Sequence, residues 1–185
     1  MNELALLAPR VDASERTLRR ALQEGTLRGH RLSPRRLKLS AAERDYVLRK
    51  WPLLGALRAA LRTESNVRFA LLFGSAARGD DTAGSDIDLL VEMREPSLVR
   101  LVDLALKLEG LLGREVDVLA LEEAEDDPLL LAEAVREGRV LVDRDGRRPK
   151  LEAQAKSAQR QVDLRLRERG QQALRGIERL LVEGG

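Results

Sequence analysis

The alternation of apolar and polar positions predicts a series of short strands and helices through the middle of the chain. Apolar residues three and four positions apart predict a helix near Ser97–Leu112, and a second helix is expected from Pro128 to Glu137. Four mostly apolar runs are predicted to be strands: Val67–Phe73, Ser85–Val91, Glu115–Leu121 and Arg139–Asp143. The fold class expected from this order is α/β, with a small mixed sheet.

The first 62 residues show a different pattern, typical of a small helix-turn-helix. A short helix over Leu4–Leu7 is followed by a second over Glu15–Glu24, whose apolar residues share one face. The basic stretch Leu27–Leu39 contains Gly and Pro and predicts a hairpin or wing. A capping box over Ser40–Glu43 begins a third helix, which Pro52 is expected to kink or restart because proline removes a helical donor.

The last part of the chain predicts one long amphipathic helix from Pro149 onward. Its apolar stripe has one gap near Gly170. The stripe consists of Leu151, Ala155, Ala158, Val162, Leu166, Ala173, Ile177 and Leu180. A helix with such a stripe needs a cover, which its own domain, a second copy in a homodimer or a partner protein could provide.

Charge divides the chain at the same places. Residues 1–62 carry 14 Lys and Arg against 6 Asp and Glu, residues 63–146 carry 9 against 20, and residues 147–185 carry 10 against 5. The basic start favours a polyanionic partner, and the acidic middle indicates either a gathered set of carboxylates or a solvated acidic face. We therefore predict three parts with separate roles.

Composition excludes several classes of function. The 185 residues contain no cysteine and one histidine, His30, which excludes disulfides, thiolate metal sites and multi-histidine sites and argues against a His-based hydrolase triad. No apolar run approaches the roughly 18 residues of a membrane span, and the N-terminus does not resemble a signal peptide. We expect a cytoplasmic protein that makes no membrane contact.

The basic N-terminal part resembles small excisionase-like or winged helix-turn-helix domains in the stretch Val11–Leu22. A short helix in the major groove, with wing arginines on the phosphates, would bind DNA. The alternative is an ordinary basic helical cap on the next domain. The DNA-contacting residues predicted here are Arg16, Arg19, Arg20, Arg28, Arg31, Arg35 and Arg36.

Three carboxylates are candidates for a metal site. Asp86 and Asp88 are two apart in a predicted strand, so their side chains point to the same face and repel each other unless a cation is bound. Oxygen ligands of this kind suit Mg²⁺, or Mn²⁺, together with substrate phosphates. Asp117, flanked by two valines in a neighbouring strand, would complete a two-metal site or accept a proton from the attacking group.

A glycine-serine turn between the first two predicted strands has the properties of a phosphate cradle. Gly74 lets the backbone approach a phosphate closely, and Ser75 with the next backbone N–H groups can bind phosphate oxygens. Arg78 could add a charge-assisted contact, although a surface role in the turn is the alternative.

Gly74-Ser75, ten intervening residues and Asp86-x-Asp88 together resemble the signature of the DNA polymerase β-like nucleotidyltransferase superfamily. The longer string, from Gly-Ser-Ala-Ala-Arg-Gly to Ser-Asp-Ile-Asp-Leu-Leu-Val, is similar to its minimal members, and the likeness covers roughly residues 64–145. The resemblance implies that Gly74, Ser75, Arg78 and Ser85 bind a nucleoside triphosphate such as ATP. It implies two Mg²⁺ ions, or Mn²⁺, on Asp86, Asp88 and Asp117, which are then the catalytic residues.

Minimal nucleotidyltransferases are often paired with helical HEPN toxins. The resemblance therefore implies transfer of AMP to a protein hydroxyl, a Tyr of a HEPN toxin, which would make this chain the antitoxin. The helix-turn-helix would let it repress its own promoter. Two alternatives remain open: transfer to a small-molecule hydroxyl such as that of an aminoglycoside, and a DNA-binding regulator that only senses nucleotides.

Overall fold

The structure is a computed structural model that describes the backbone of residues 3–33 and 36–183 and the side chains of residues 3–30, 37–165, 167 and 169. The helices in these ranges are α1 (Glu3–Leu7), α2 (Glu15–Glu24), α3 (Ala41–Thr63), α4 (Gly74–Arg78), α5 (Leu98–Leu112), α6 (Leu121–Asp126), α7 (Pro128–Glu137) and α8 (Arg148–Glu183). The strands are β1 (His30–Ser33), β2 (Arg36–Lys38), β3 (Val67–Phe73), β4 (Ile87–Met93), β5 (Val116–Ala120) and β6 (Arg139–Asp143). The predicted α/β class is confirmed.

A four-stranded mixed sheet forms the centre, with strand order β5-β4-β3-β6. β3 pairs antiparallel with β4 and with β6, whereas β4 and β5 run parallel. The parallel pair needs a crossover, which α5 supplies. The end of β3 and the starts of β4 and β5 therefore meet at one edge of the sheet.

Alternate residues of the strands enter two different cores, as the period of two requires. On one face, Ala70 and Leu72 of β3 join a cluster that includes residues of α2, α3 and α5. On the other face, Phe69 and Leu71 pack with residues of α6, α7 and α8. The sheet is thus a middle layer covered by helices on both sides.

The N-terminal segment docks on β6. The Val140 N–H donates to the Gly25 carbonyl, and the Thr26 hydroxyl donates to the Val140 carbonyl. α3 runs through Pro52 as a single helix, so the expected restart there is wrong. Pro52 is exposed, and the hydrogen bond it lacks costs less where water can reach the backbone. α1, α2, the β1–β2 hairpin and α3 follow one another in the predicted order.

The long C-terminal helix is confirmed as α8, and its first turns pack in cis. Leu151, Ala155 and Ala158 are buried, mainly against α7 and its neighbours. The stripe positions from Leu166 onward lie outside the described side chains. None of the described helices combines the length and apolarity that crossing a bilayer requires.

Candidate active site

The predicted carboxylates lie at the shared edge of β3, β4 and β5. Asp88 on β4 pairs in register with Asp117 on the parallel strand β5. On its other side it pairs with Phe73, the last residue of β3. Asp86 lies one residue before β4. The fold therefore brings together two carboxylates that are distant in sequence with a third that is local.

The electrostatics of this edge are strained in the absence of a cation. Burial raises the pKa of the Asp88 carboxyl above its ordinary value, and the charges of Asp117 and Asp86 raise it further. The Arg78 guanidinium acts in the opposite direction. Three hard oxygen donors that repel one another fit a divalent cation such as Mg²⁺. Among the described residues, no acidic or histidine group is already gathered tightly enough to be a metal cage.

Gly74 is the residue that the backbone of this edge requires. Its φ of 67° lies in the left-handed region, which side chains disfavour. A Cβ atom at this position would also overlap the carboxylate of Asp88. The absence of a side chain at residue 74 thus leaves the space that Asp88 occupies, and it allows the chain to turn from β3 into α4.

The other predicted nucleotide-binding residues have different surroundings. Ser75 lies in the first turn of α4 and is half-buried. Arg78 is exposed; its Nη1 donates to Glu137 at 2.9 Å and its Nε to Asp80 at 3.2 Å. Ser85 closes the following loop, where its hydroxyl accepts a hydrogen bond from the Thr82 N–H at 3.0 Å. Ser75 directly follows Gly74 and Ser85 directly precedes Asp86, so both serines border the carboxylate edge in sequence.

Three side chains that we did not predict hold the α4 turn by its carbonyl groups. Tyr46 Oη donates to the carbonyl of Ala76 at 3.1 Å, Arg139 Nε to that of Ala77 at 2.7 Å, and Arg49 Nη1 to that of Gly79 at 2.9 Å. We call Tyr46, Arg49 and Arg139 the carbonyl clamp. Two of its members come from α3, so the N-terminal segment positions the turn that the sequence assigns to phosphate binding.

Arg139 is the centre of the clamp. It is 2% exposed and makes a two-bond ion pair with Glu43, at 2.7 and 2.9 Å. Its guanidinium carbon lies 3.4 Å from the centre of the Tyr46 ring, within range of a cation–π contact. In the sequence, Arg139 is a charged residue at the start of an otherwise apolar strand. From this position we predicted only where the strand begins.

A second ion-pair cluster anchors the loop between α4 and β4. The Asp81 side chain is 1% exposed and pairs with Lys50 of α3 and with Arg114, the latter at 2.9 Å. Burial alone would raise the pKa of Asp81, but Lys50 and Arg114 outweigh it and hold that pKa below its ordinary value. Arg114 also donates to the Ser85 carbonyl at 3.0 Å. The loop that leads into Asp86 is therefore fixed at both ends.

The predicted DNA-contacting arginines are divided by the structure. Arg19 pairs with Glu15 along α2, and Arg28 donates to the carbonyl of Glu137. Arg16 and Arg20 lie one turn apart on α2 and are exposed. For Arg31 and Arg36 only the backbone is described, on β1 and β2, and Arg35 lies outside the described residues.

Comparison with known proteins bears on this edge of the sheet. A family profile described as polymerase beta, nucleotidyltransferase, matches residues 56–147. The protein adenylyltransferase MntA of Thermococcus cleftensis is 41% identical over 68 residues, which are 36% of this chain and 69% of MntA. The chain belongs to the polymerase beta-type nucleotidyltransferase family. The resemblance inferred from Gly74-Ser75 and Asp86-x-Asp88 is thus confirmed at the level of the family.

Two further comparisons give the extent of the likeness. A Methanocaldococcus jannaschii protein, provisionally named protein adenylyltransferase MJ0435, is 54% identical over 54 residues, 29% of this chain and 58% of the relative. This chain thus spans little more than half of that relative. A crystal structure described as a toxin-antitoxin with AMP-PNP has a TM-score of 0.53 at 21% identity, covering 65% of this chain and 98% of its own. At that identity the structural match supports the fold alone.

Proposed function

We propose that this chain is a metal-dependent nucleotidyltransferase that transfers AMP from ATP to a hydroxyl group of a protein. The observation that carries the proposal is the meeting of Asp86, Asp88 and Asp117 at one sheet edge, beside the turn that begins at Gly74. A role of the carboxylates in fold stability alone would explain neither their mutual repulsion nor the space that Gly74 leaves for Asp88.

The chain's own residues would divide the work of transfer between them. Gly74, Ser75 and Arg78 would bind and orient the triphosphate, and Ser85 would fix the loop that presents Asp86. The three carboxylates would hold Mg²⁺, which supplies positive charge to the phosphate oxygens when bound. Asp117 would accept the proton of the attacking hydroxyl. As the new oxygen–phosphorus bond forms, the bond between the α-phosphorus and its bridging oxygen breaks and pyrophosphate leaves.

The acceptor we propose is a Tyr hydroxyl of a HEPN-type toxin, which makes this chain the antitoxin. The names of the relatives, protein adenylyltransferases, support a protein as the acceptor, and a neighbour with the same fold is described as a toxin-antitoxin. The alternatives are a small-molecule hydroxyl as acceptor and a nucleotide sensor without transfer. Three carboxylates favour transfer, because sensing alone does not need them.

Label transfer from ATP labelled at the α-phosphate tests the proposal directly. The purified chain is incubated with Mg²⁺, first alone and then with the product of the adjacent gene. We expect label on the neighbouring protein, and none with the double variant Asp86→Asn, Asp88→Asn. An exposed acid on α5, in the variant Asp103→Asn, is the matched control and should retain full transfer.

The label also separates the alternatives. Label that reaches a small hydroxylated compound but no protein would favour the small-molecule reading. Transfer that persists in the double aspartate variant would refute the assignment of the site. Binding of ATP without any transfer, over a range of acceptors and nucleotides, would favour the alternative of a nucleotide-sensing regulator.

We propose in addition that the N-terminal segment binds DNA and so allows autorepression. The observations that favour this are the order of α1, α2 and a hairpin, and the exposure of Arg16 and Arg20 on α2. Retardation of a duplex carrying the chain's own promoter, at low salt where phosphate contacts are strongest, is the test. A wild-type chain that leaves this duplex unshifted would refute the proposal.

A further inference from the structure

A concave, strongly basic cleft lies between α2 and α3, away from the carboxylate edge. Its volume is about 330 Å³. The residues that define it, hereafter the α2–α3 cleft, are Arg16, Arg20, Trp51, Gly55, Arg58 and Arg62. Four guanidinium groups and the indole of the only tryptophan in the chain thus line one opening.

One carboxylate partly balances these four cations. Glu24, at the end of α2, pairs with Arg20 at 2.6 Å, with Arg62 at 3.3 Å, and with Arg58. Among the described residues, Arg16 has no ion-pair partner. The cleft therefore keeps an excess of about three positive charges, which an anion would neutralise. Arg58 is 8% exposed and its guanidinium is already held by Glu24 and the Thr26 hydroxyl, so the exposed cations of the cleft are Arg16, Arg20 and Arg62.

The spacing of the cations fits a chain of phosphates. Arg16 and Arg20 are one helical turn apart on α2, and Arg58 and Arg62 are one turn apart on α3, each step being about 6 Å along its axis. The exposed guanidinium groups of Arg16 and Arg20 on one wall and of Arg62 on the other can contact successive phosphates of one strand. A single free anion would need only one such pair.

The shape of the cleft selects an unpaired strand over a duplex. Duplex DNA is read by a convex helix that enters a groove about 12 Å wide, whereas here the arginines line a cavity the size of one nucleotide. Trp51 is partly exposed and packs on the hydrophobic core, which holds its indole in place. Aromatic side chains beside a basic track bind unpaired bases by stacking, whatever their sequence.

We propose that the α2–α3 cleft binds single-stranded nucleic acid, with phosphates on the exposed guanidinium groups of Arg16, Arg20 and Arg62 and a base on Trp51. This inference goes beyond the proposed duplex binding by the N-terminal segment, because it assigns Arg16 and Arg20 to an unpaired strand. It is independent of AMP transfer.

Trp51 fluorescence provides the assay, because the chain contains one tryptophan. The full chain is titrated with a short oligothymidylate that ends in a 5′-hydroxyl, so that no triphosphate can occupy the carboxylate edge. We expect quenching on binding at about 50 mM salt, with affinity that falls steeply as salt rises. The same strand annealed to its complement should bind more weakly and quench less.

The double variant Arg16→Ala, Arg20→Ala is the specific test. We expect it to bind the oligothymidylate about tenfold more weakly or worse, and to reduce the salt slope by about 1.4, the value for two single-strand phosphate contacts. The matched control is Arg94→Ala, Arg100→Ala, which removes two exposed arginines elsewhere and should bind almost as the wild type does. Glu24→Gln should bind several times more tightly, because it releases three arginines.

The outcomes of these experiments distinguish single-strand binding in the cleft from the proposed duplex binding by the N-terminal segment. Equal losses in the two double variants, or tighter binding of the duplex with no change in Trp51 emission, would overturn the cleft and leave duplex binding standing. No binding of either form by the wild-type chain would refute both. Binding that is unaffected by Arg16→Ala, Arg20→Ala would likewise overturn the cleft.

Discussion

The buried ion pair between Glu43 and Arg139 offers the sharpest test of how the N-terminal segment supports the active site. Glu43 is 5% exposed and Arg139 is 2% exposed. The two side chains share two hydrogen bonds, and Glu43 also accepts one from the Arg28 N–H at 2.9 Å. Changing Glu43→Gln keeps the size of the side chain but leaves the Arg139 cation buried without a counter-charge.

The expected cost follows from this burial. Removing one partner of a buried ion pair costs about 3–5 kcal/mol, since the remaining charge is not solvated. Gln can still accept one hydrogen bond, so we expect the lower end, about 3 kcal/mol. For a chain of this length that corresponds to a fall in Tm of about 6–12 °C. Urea unfolding followed by circular dichroism at pH 7 would measure the free energy, and a thermal scan the Tm.

A matched surface pair controls for the loss of charge itself. Arg68 and Asp145 also form a two-bond ion pair across the sheet, but their side chains are 25% and 49% exposed. Water screens such a pair, so Asp145→Asn should barely change the midpoint of unfolding. Arg139 also donates to the Ala77 carbonyl. Glu43→Gln should therefore lower the rate of AMP transfer even at temperatures well below its Tm, where the variant is folded, whereas Asp145→Asn should not. Equal behaviour of the two variants would refute the reasoning.

Three further predictions concern the carboxylate edge and its loop. Gly74→Ala should abolish transfer and lower Tm, because a φ of 67° is strained for alanine and the new Cβ would displace Asp88. Its control, Gly84→Ala, introduces a Cβ into open space and should leave transfer intact. Asp88→Asn should abolish transfer yet raise Tm by about 1–3 °C without Mg²⁺, since it removes a repelled charge; a lower Tm would contradict this. Asp81 has a pKa below its ordinary 3.8, so its ion pairs give full stability above about pH 4 and lose it as the pH falls further. Asp81→Asn should lack this part of the acid-dependent loss in urea titrations; an unchanged pH profile would count against it.

The carboxylate edge was largely readable from the sequence because its signals are local. Period-two alternation placed Asp86 and Asp88 on one face, and an abrupt Gly-Ser after an apolar run marked the turn. Asp117 was harder, since its closeness depends on β5 pairing with β4, which is a long-range event. Only the register of the parallel pair sets Asp117 opposite Asp88.

The supports of the site could not be read in this way. Tyr46, Arg49 and Arg139 lie up to 62 residues from the carbonyl groups they hold, and no periodicity records such a contact. The helix α6 was also not predicted. It leads directly into the start of α7, where Asp127 accepts hydrogen bonds from the N–H groups of Leu129 and Leu130.

The sequence by itself determined most of the order of helices and strands, because that order depends on neighbouring residues and on periods of two or 3.6. The carboxylate motif is likewise local, and its resemblance to a known signature indicated the family. Tertiary structure alone decided that the basic N-terminal segment packs on β6 and clamps the α4 turn, and that Arg16 and Arg20 share a cleft with Trp51. These contacts join residues far apart in the chain, and their partners are chosen by packing and by the need to pair buried charges, which no local pattern specifies.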